Sequence, residues 1–334
     1  MPVTDPITGF EIPAAWIDIA GPEALEKIKS GHWVLLSDGR MLRRGLTTGT
    51  TAAAACKGAV LSLIMDVKDV DVMTLAGIRV SLPVNTHGGV CSAFKDSGDH
   101  QFDVTDGIEI SAEARAAPAI ELKAGKGIGR ISRSGLDTPK GKAAISRSAE
   151  KQIMNAIREG LIETGLEGIM IELRVPRGEE VAKKTLNPTL GVMGGISILG
   201  STGFVEPWNE HLGESRAEEI IGAPKVLATT GRTGLKYSRI LFPEHKAVLI
   251  GSHLDRMRFE GDQDSILCGL PALILKWAWP QVLDGTAYNT VAEMIEKEPN
   301  HPHIEAALNN AKARLPFTRI VLLQRDGRIF RDLR

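Results

Sequence analysis

Apolar spacing along this chain changes twice. Short apolar runs broken by turn residues come first. Residues 70–84 predict a strand, a turn at Ala76-Gly77 and a second strand; 90–95, 108–112 and 119–122 predict further strands. A helical period follows: Ile153, Met154, Ile157, Leu161 and Ile162 share one stripe and predict a core-facing helix over 149–163, capped by Ser148. Residues 169–175 predict a strand. Glu179, Glu180, Lys183 and Lys184 bracket a short helix ending at Asn187-Pro188. Beyond the glycine-rich stretch that ends at Pro207, the segments alternate. Helix over 210–221, strand over 225–229, helix over 231–240, strand over 247–251, helix near 254–266 and strand over 272–275 have the rhythm of a parallel sheet with crossover helices. Residues 320–330 close the chain with a hairpin turning at Asp326-Gly327.

These elements predict two domains of mixed α/β and α+β class. Residues 1–44 read as an N-terminal extension, with a short helix over 22–28 and a turn over 37–40 joining two short strands. Residues 45–190 form an α+β domain, and 191–334 a smaller α/β domain built on a parallel sheet. Threonines 47, 48, 50 and 51 precede the run Ala52 to Ala55, which predicts a helix reaching about Met65 with Thr50 or Thr51 as N-cap. Free amides in its first turn suit a carboxylate or phosphate, or serve plain capping.

Composition narrows the function classes. Of 334 residues 43% are hydrophobic and 24% charged, as in a soluble globular protein. A net charge of -1 supplies no global basic field for nucleic acid, and 4% aromatics disfavours a base-stacking platform. Three cysteines, 56, 91 and 268, form no CxxC pair, which argues against a disulfide framework and a zinc site. The first residues lack a signal-peptide pattern and no run of about 18 apolar residues occurs, so a cytoplasmic protein without a membrane partner is expected.

Three stretches carry candidate chemistry. In residues 178–207, Gly191, Gly194, Gly195, Gly200 and Gly203 flank an apolar run, 196–199. Such a loop fits a cofactor's phosphate or carboxylate, or merely a tight chain crossing. The loop 95–107 holds four aspartates, which fit turn chemistry as well as a divalent metal, but not at EF-hand spacing. The third, 125–136, is a GxGxG run lacking the helix that a dinucleotide fingerprint needs.

The block GEEVAKKTLNPTLGVMGGISILGSTGFVEP closely resembles the signature of the cobalt-precorrin-5B C1-methyltransferases, the CbiD-type enzymes of anaerobic cobalamin synthesis. Residues 45–55 resemble that family's GxTTGTxAAAA, with Thr51 where cysteine is usual; 95–107 resemble its KxxGDDxDxTxG, and 125–136 its GxGIGxVTxxGL. The resemblance implies methyl transfer from S-adenosyl-L-methionine to a cobalt-bearing tetrapyrrole, the cobalt being carried by the substrate and the protein holding no metal. It implies Asp99, Asp103 and Thr105 at the reacting centre, with an aspartate as proton acceptor. The donor is expected on Gly194, Gly195, Ser197, Gly200, Thr202 and Gly203, with Glu206 on its ribose. The substrate is expected at Thr47, Thr48 and Thr50, with Arg130, Arg133, Lys183 and Lys184 on its carboxylate arms. A homo-oligomer remains open. The chain departs from the family at His100-Gln101, at 141–146 and at 276–281, where a GHxGK-like segment is usual.

Two other functions fit parts of the sequence. A nucleotide-dependent phosphotransferase would use the loop from Gly195 to Thr202, but Ser201 stands where a phosphate loop needs lysine. A non-catalytic tetrapyrrole carrier would keep the fold and tolerate the departures.

Overall fold

The computed structural model describes residues 2–100, 103–133, 138–207, 220, 222–251, 254–261 and 263–334. Contacts divide the chain into two compact units: residues 29–33 with 42–209, and residues 1–28 with 34–41 and 210–334. The partition differs from a break at 190/191. Residues 191–207 stay with the first unit because their three two-residue strands pair with segments before residue 132. The N-terminal segment is no free extension either: Ser37 N and Oγ donate to Ile240 O and Leu241 O at 3.0 and 2.8 Å, within the second unit.

The first unit holds β1 (Gly45–Leu46), α1 (Thr48–Leu61), β2 (Asp69–Met73), β3 (Arg79–His87), β4 (Val90–Phe94), β5 (Glu109–Ala116), β6 (Glu121–Ala124), β7 (Gly127–Ile128), β8 (Arg130–Ile131), α2 (Arg147–Thr164), β9 (Ile169–Arg174), α3 (Gly178–Ala182), α4 (Asn187–Leu190), β10 (Val192–Met193), β11 (Gly195–Ile196) and β12 (Phe204–Val205). Six strands form one sheet in the order β6-β9-β5-β4-β3-β2, antiparallel except for β6 beside β9. Helix α1 lies between that sheet and α2. Every residue from Thr48 to Val60 is therefore buried, which the small alanine side chains permit. Gly58 is needed there, since a Cβ would come 2.5 Å from Cys91 Sγ.

Several boundaries differ from expectation. The α1 cap is Thr47, whose Oγ1 accepts from Thr50 N at 3.2 Å; the Thr50 and Thr51 hydroxyls turn inward to Gly203 O and Thr47 O. That helix stops at Leu61, short of Met65. Helix α2 is capped by Ser146, not Ser148, through a 3.2 Å bond from Ala149 N. At 187 no helix ends: α4 begins there with proline in its first turn, where the missing N–H costs nothing. Of the apolar run 196–199 only Ile196 is in a strand, β11, and Ile198 makes a single bridge to Ile145.

The second unit holds β13 (Lys225–Thr229), α5 (Arg232–Leu241), β14 (Lys246–Leu249), β15 (Asp264–Gly269), α6 (Pro271–Ala278), α7 (Val291–Lys297), α8 (Pro302–Arg314), β16 (Arg319–Leu323) and β17 (Ile329–Leu333). The sheet order is β14-β13-β15-β16-β17, parallel until the closing antiparallel hairpin. Where a helix was expected over 254–266, a 3-10 turn, Leu254–Arg256, precedes strand β15; where a strand was expected over 272–275, helix α6 stands. Ile266, Leu267 and Cys268 make the continuous apolar run of a doubly covered parallel strand, and Pro271 presets the first turn of α6. The helix expected over 210–221 lies almost wholly outside the described residues. No helix among the described residues is long and apolar enough to cross a membrane.

Candidate active site

Strand β4 alternates outward and inward, with Cys91 and Ala93 on the buried phase. The next inward position is Lys95, only 4% exposed. A buried ammonium must be paired. Lys95 Nζ donates to Ser97 Oγ at 2.6 Å and to Asp103 Oδ2 at 2.7 Å. The other oxygen of Asp103 accepts from Thr105 N at 2.8 Å and Thr105 Oγ1 at 2.5 Å. Burial pushes the Asp103 carboxyl up, but the Lys95 charge and the hydrogen bonds from Lys95 and Thr105 outweigh it and bring it down to about 2. An aspartate so held keeps its charge at neutral pH and is a weak base.

This ion pair is part of the wall of a cleft of about 230 Å³. Thr47 and Thr48 enter it from the start of α1, Thr185 from the α3–α4 connection, Asn187 from the start of α4, and Ile196, Ser197, Leu199 and Val205 from the glycine-rich block. Lys95 and Asp103 are the only charged side chains among these lining residues. The wall is rigid where hydrogen bonds cross it. Leu199 N donates to Thr48 Oγ1 at 2.9 Å, and Ser197 Oγ donates to Asn187 Oδ1 at 3.3 Å.

The cleft thus gathers Asp103, Thr105, Thr47, Thr48 and Ser197 from the sequence-derived candidates. Asp99 is elsewhere: exposed, its Oδ2 accepts from Arg43 N at 2.7 Å. Asp96 forms a two-pronged pair with Arg43, and Asp106 accepts from Ser97 N at 2.9 Å. These carboxylates serve turns and ion pairs. Thr50 is fully buried, bonded to Gly203 O and Gln152. Glu206 pairs with the buried Arg44 guanidinium at 3.2 Å. Thr202 closes a local turn on Phe204. Arg130, Arg133, Lys183 and Lys184 are exposed and outside the cleft lining.

Most glycines of the block have packing reasons. A Cβ at Gly195 would lie 2.2 Å from Gly127 O, because β11 and β7 run backbone against backbone. At Gly200 it would meet Thr47 Oγ1 at 2.4 Å, and at Gly203 the Thr74 side chain at 2.8 Å. Gly194 alone has open space around it, with a φ of 75°. Replacing Gly195 by leucine would therefore break the fold and not merely a ligand contact. Lys95, Thr185 and Asn187 were not singled out as site residues by sequence reasoning. The cue for Lys95 was its place on the inward phase of β4.

A family model described as CbiD matches residues 36–207, a span that contains every residue of the cleft. The cobalt-precorrin-5B C(1)-methyltransferase of Methanosarcina acetivorans is 47% identical over 332 residues, 98% of each chain.

The chain belongs to the CbiD family.

The Methanococcoides burtonii protein of the same name is 44% identical and covers 99% of this chain and 98% of its own. A crystal structure described as the cobalamin biosynthesis protein (cbiD) of Archaeoglobus fulgidus superposes with a TM-score of 0.57. It is 36% identical and covers 96% of this chain and 100% of its own. CbiD likeness thus extends through the second unit, beyond the matched family model.

Proposed function

We propose that this chain transfers a methyl group from S-adenosyl-L-methionine to C1 of cobalt-precorrin-5B during corrin-ring synthesis. The observation that carries this is the full-length likeness to proteins bearing that activity in their names. The cobalt arrives with the substrate. A phosphotransferase is disfavoured because Ser201 cannot neutralise a triphosphate and the glycines around it are accounted for by packing.

The donor supplies an electrophilic sulfonium methyl. The protein's task is to hold donor and acceptor in line at near-attack distance. At about 230 Å³ the cleft falls below the roughly 300–1,000 Å³ of pockets that enclose a drug-sized ligand, so it suits one end of the donor. Its donor set fits that end. Thr47, Thr48, Thr185, Asn187 and Ser197 offer hydroxyl and amide partners for an amino-acid or ribose group, and Ile196, Leu199 and Val205 a dry surface. In this reading Ser197 is the polar member of the glycine-rich block that contacts the donor. Asp103, pinned by Lys95 and Thr105, is a fixed charge at the reacting centre and not the proton acceptor. Arg130, Arg133, Lys183 and Lys184 meet the carboxylate arms of the macrocycle.

Titration calorimetry on the full chain tests the donor assignment. Adenosylmethionine should bind, with Ser197→Ala weakening it several-fold. Binding of ATP in place of adenosylmethionine would end the methyl-transfer reading.

A further inference from the structure

The first unit turns an apolar face outward beside the cleft. Leu186, Leu190, Met193 and Leu199 are 55%, 53%, 52% and 53% exposed. Leu190 N donates to Leu186 O at 3.0 Å, which places the N-cap leucine and the last residue of α4 one turn apart on the same side. Helix α4 packs on β10. In the β10–β8 pair, Val192 and Ile131 point to the core, so Met193 and Arg130, directly opposite each other, both point out. Leu199 belongs to the cleft wall, as do Thr185 and Asn187 on either side of Leu186.

Exposed cations border this face. Arg43, Arg79, Arg115, Arg174 and Arg177 of the same unit each pair with a carboxylate. Among the described residues, Arg130 and Arg133 instead donate to the carbonyls of Gly141 and Thr189, at 3.3 and 3.4 Å. The stem of Arg133 lies over Gly191, where a Cβ would meet Cγ at 2.9 Å, so its guanidinium is held beside α4. Lys183 and Lys184 stand just before that helix, exposed.

We propose that Leu186, Leu190, Met193 and Leu199 seat the flat apolar surface of the tetrapyrrole while the neighbouring cations take its carboxylate arms. This rests on the function proposed above and adds the residues that read the macrocycle. The rival occupant is a second copy of the chain. In a two-fold contact the face would meet itself, bringing exposed cations together, which is unfavourable. A macrocycle with an apolar face and an anionic edge meets no such conflict.

The test uses the full chain and two probes followed by visible absorption: a cobalt corrinoid with free carboxylate arms, and its fully methyl-esterified form. In Leu190→Gln/Met193→Gln, affinity for both probes should fall about tenfold, from the loss of roughly 50 Å² of apolar contact. In Arg130→Gln/Arg133→Gln, affinity for the acid should fall about tenfold and that for the ester should hold. Adenosylhomocysteine affinity and the urea midpoint should stay at wild-type values, because the changed side chains are exposed. Leu186→Gln, with the same readouts, guards against a fold defect in the first pair. Unchanged binding of both probes by the two apolar variants would overturn the proposal. So would a wild-type dimer that those variants convert to monomers. A wild-type protein that binds neither probe would remove the functional reading itself.

Discussion

Replacing Asp103 by asparagine leaves the Lys95 ammonium, 3% exposed, without its counter-charge. Only Ser97 Oγ and a neutral amide remain to satisfy it. Breaking one side of a buried pair in this way costs about 3–5 kcal/mol. Lys95→Met costs less, about 1–3 kcal/mol, since Asp103 keeps both bonds from Thr105 and can be reached by water. In the double variant no orphaned charge remains, so the losses should fall short of additivity by about 2 kcal/mol. Urea unfolding at pH 7 measures this cycle. The same pair fixes an acid limb. Asp103 titrates near 2 in the folded chain and near 4 when unfolded, so its stabilisation is complete above pH 4 and is lost as pH falls from about 4 to 2. The shift corresponds to about 2 kcal/mol, less after solvent screening of a partly exposed group. Asp103→Asn should lack that limb while keeping the acid transitions of other carboxylates. Additive losses in the cycle, or an unchanged limb in Asp103→Asn, would refute a tight Lys95–Asp103 pair.

Other outcomes follow from the same packing. Gly195→Ala should destabilise by about 2–4 kcal/mol in urea, because its Cβ would strike Gly127 O at 2.2 Å. Gly194→Ala should cost only about 1 kcal/mol, the penalty of a left-handed backbone. Asn187→Leu should raise the KM for adenosylmethionine several-fold with kcat less affected, since its side chain orients Ser197 and lines the cleft. All three thiols are buried, and burial pushes the Cys91 and Cys268 thiols up to about 12. A thiol reagent at pH 8 should therefore label none in the native protein and three after denaturation.

The larger elements were legible because their cues are local. Three of the five stripe residues, Ile153, Ile157 and Leu161, lie on the buried face of α2, whereas Met154 is only half-buried and Ile162 is exposed; the turn at Ala76-Gly77 fixes the β2–β3 hairpin. What failed was local sequence under tertiary control. Ile266 to Cys268 and Ala272 to Leu275 are both short apolar runs, and only packing on the parallel sheet decides which is strand and which is helix. The glycines of 191–203 suggested a ligand loop, yet at 195, 200 and 203 the absent side chain makes room for the protein's own backbone and threonines. Half of the ion pair at the cleft was seen as Asp103. Its partner Lys95, read only as the end of a strand, was not singled out, because nothing in a single lysine announces burial.

The most direct test incubates the full chain with cobalt-precorrin-5B and methyl-labelled adenosylmethionine, followed by mass spectrometry of the macrocycle. The expected result is one labelled methyl per macrocycle at C1, strongly reduced in Asp103→Asn at a pH where that variant remains folded. An unlabelled macrocycle with folded protein and intact donor would contradict methyl transfer, and full labelling by the folded variant would contradict the placement of the reacting centre at this cleft.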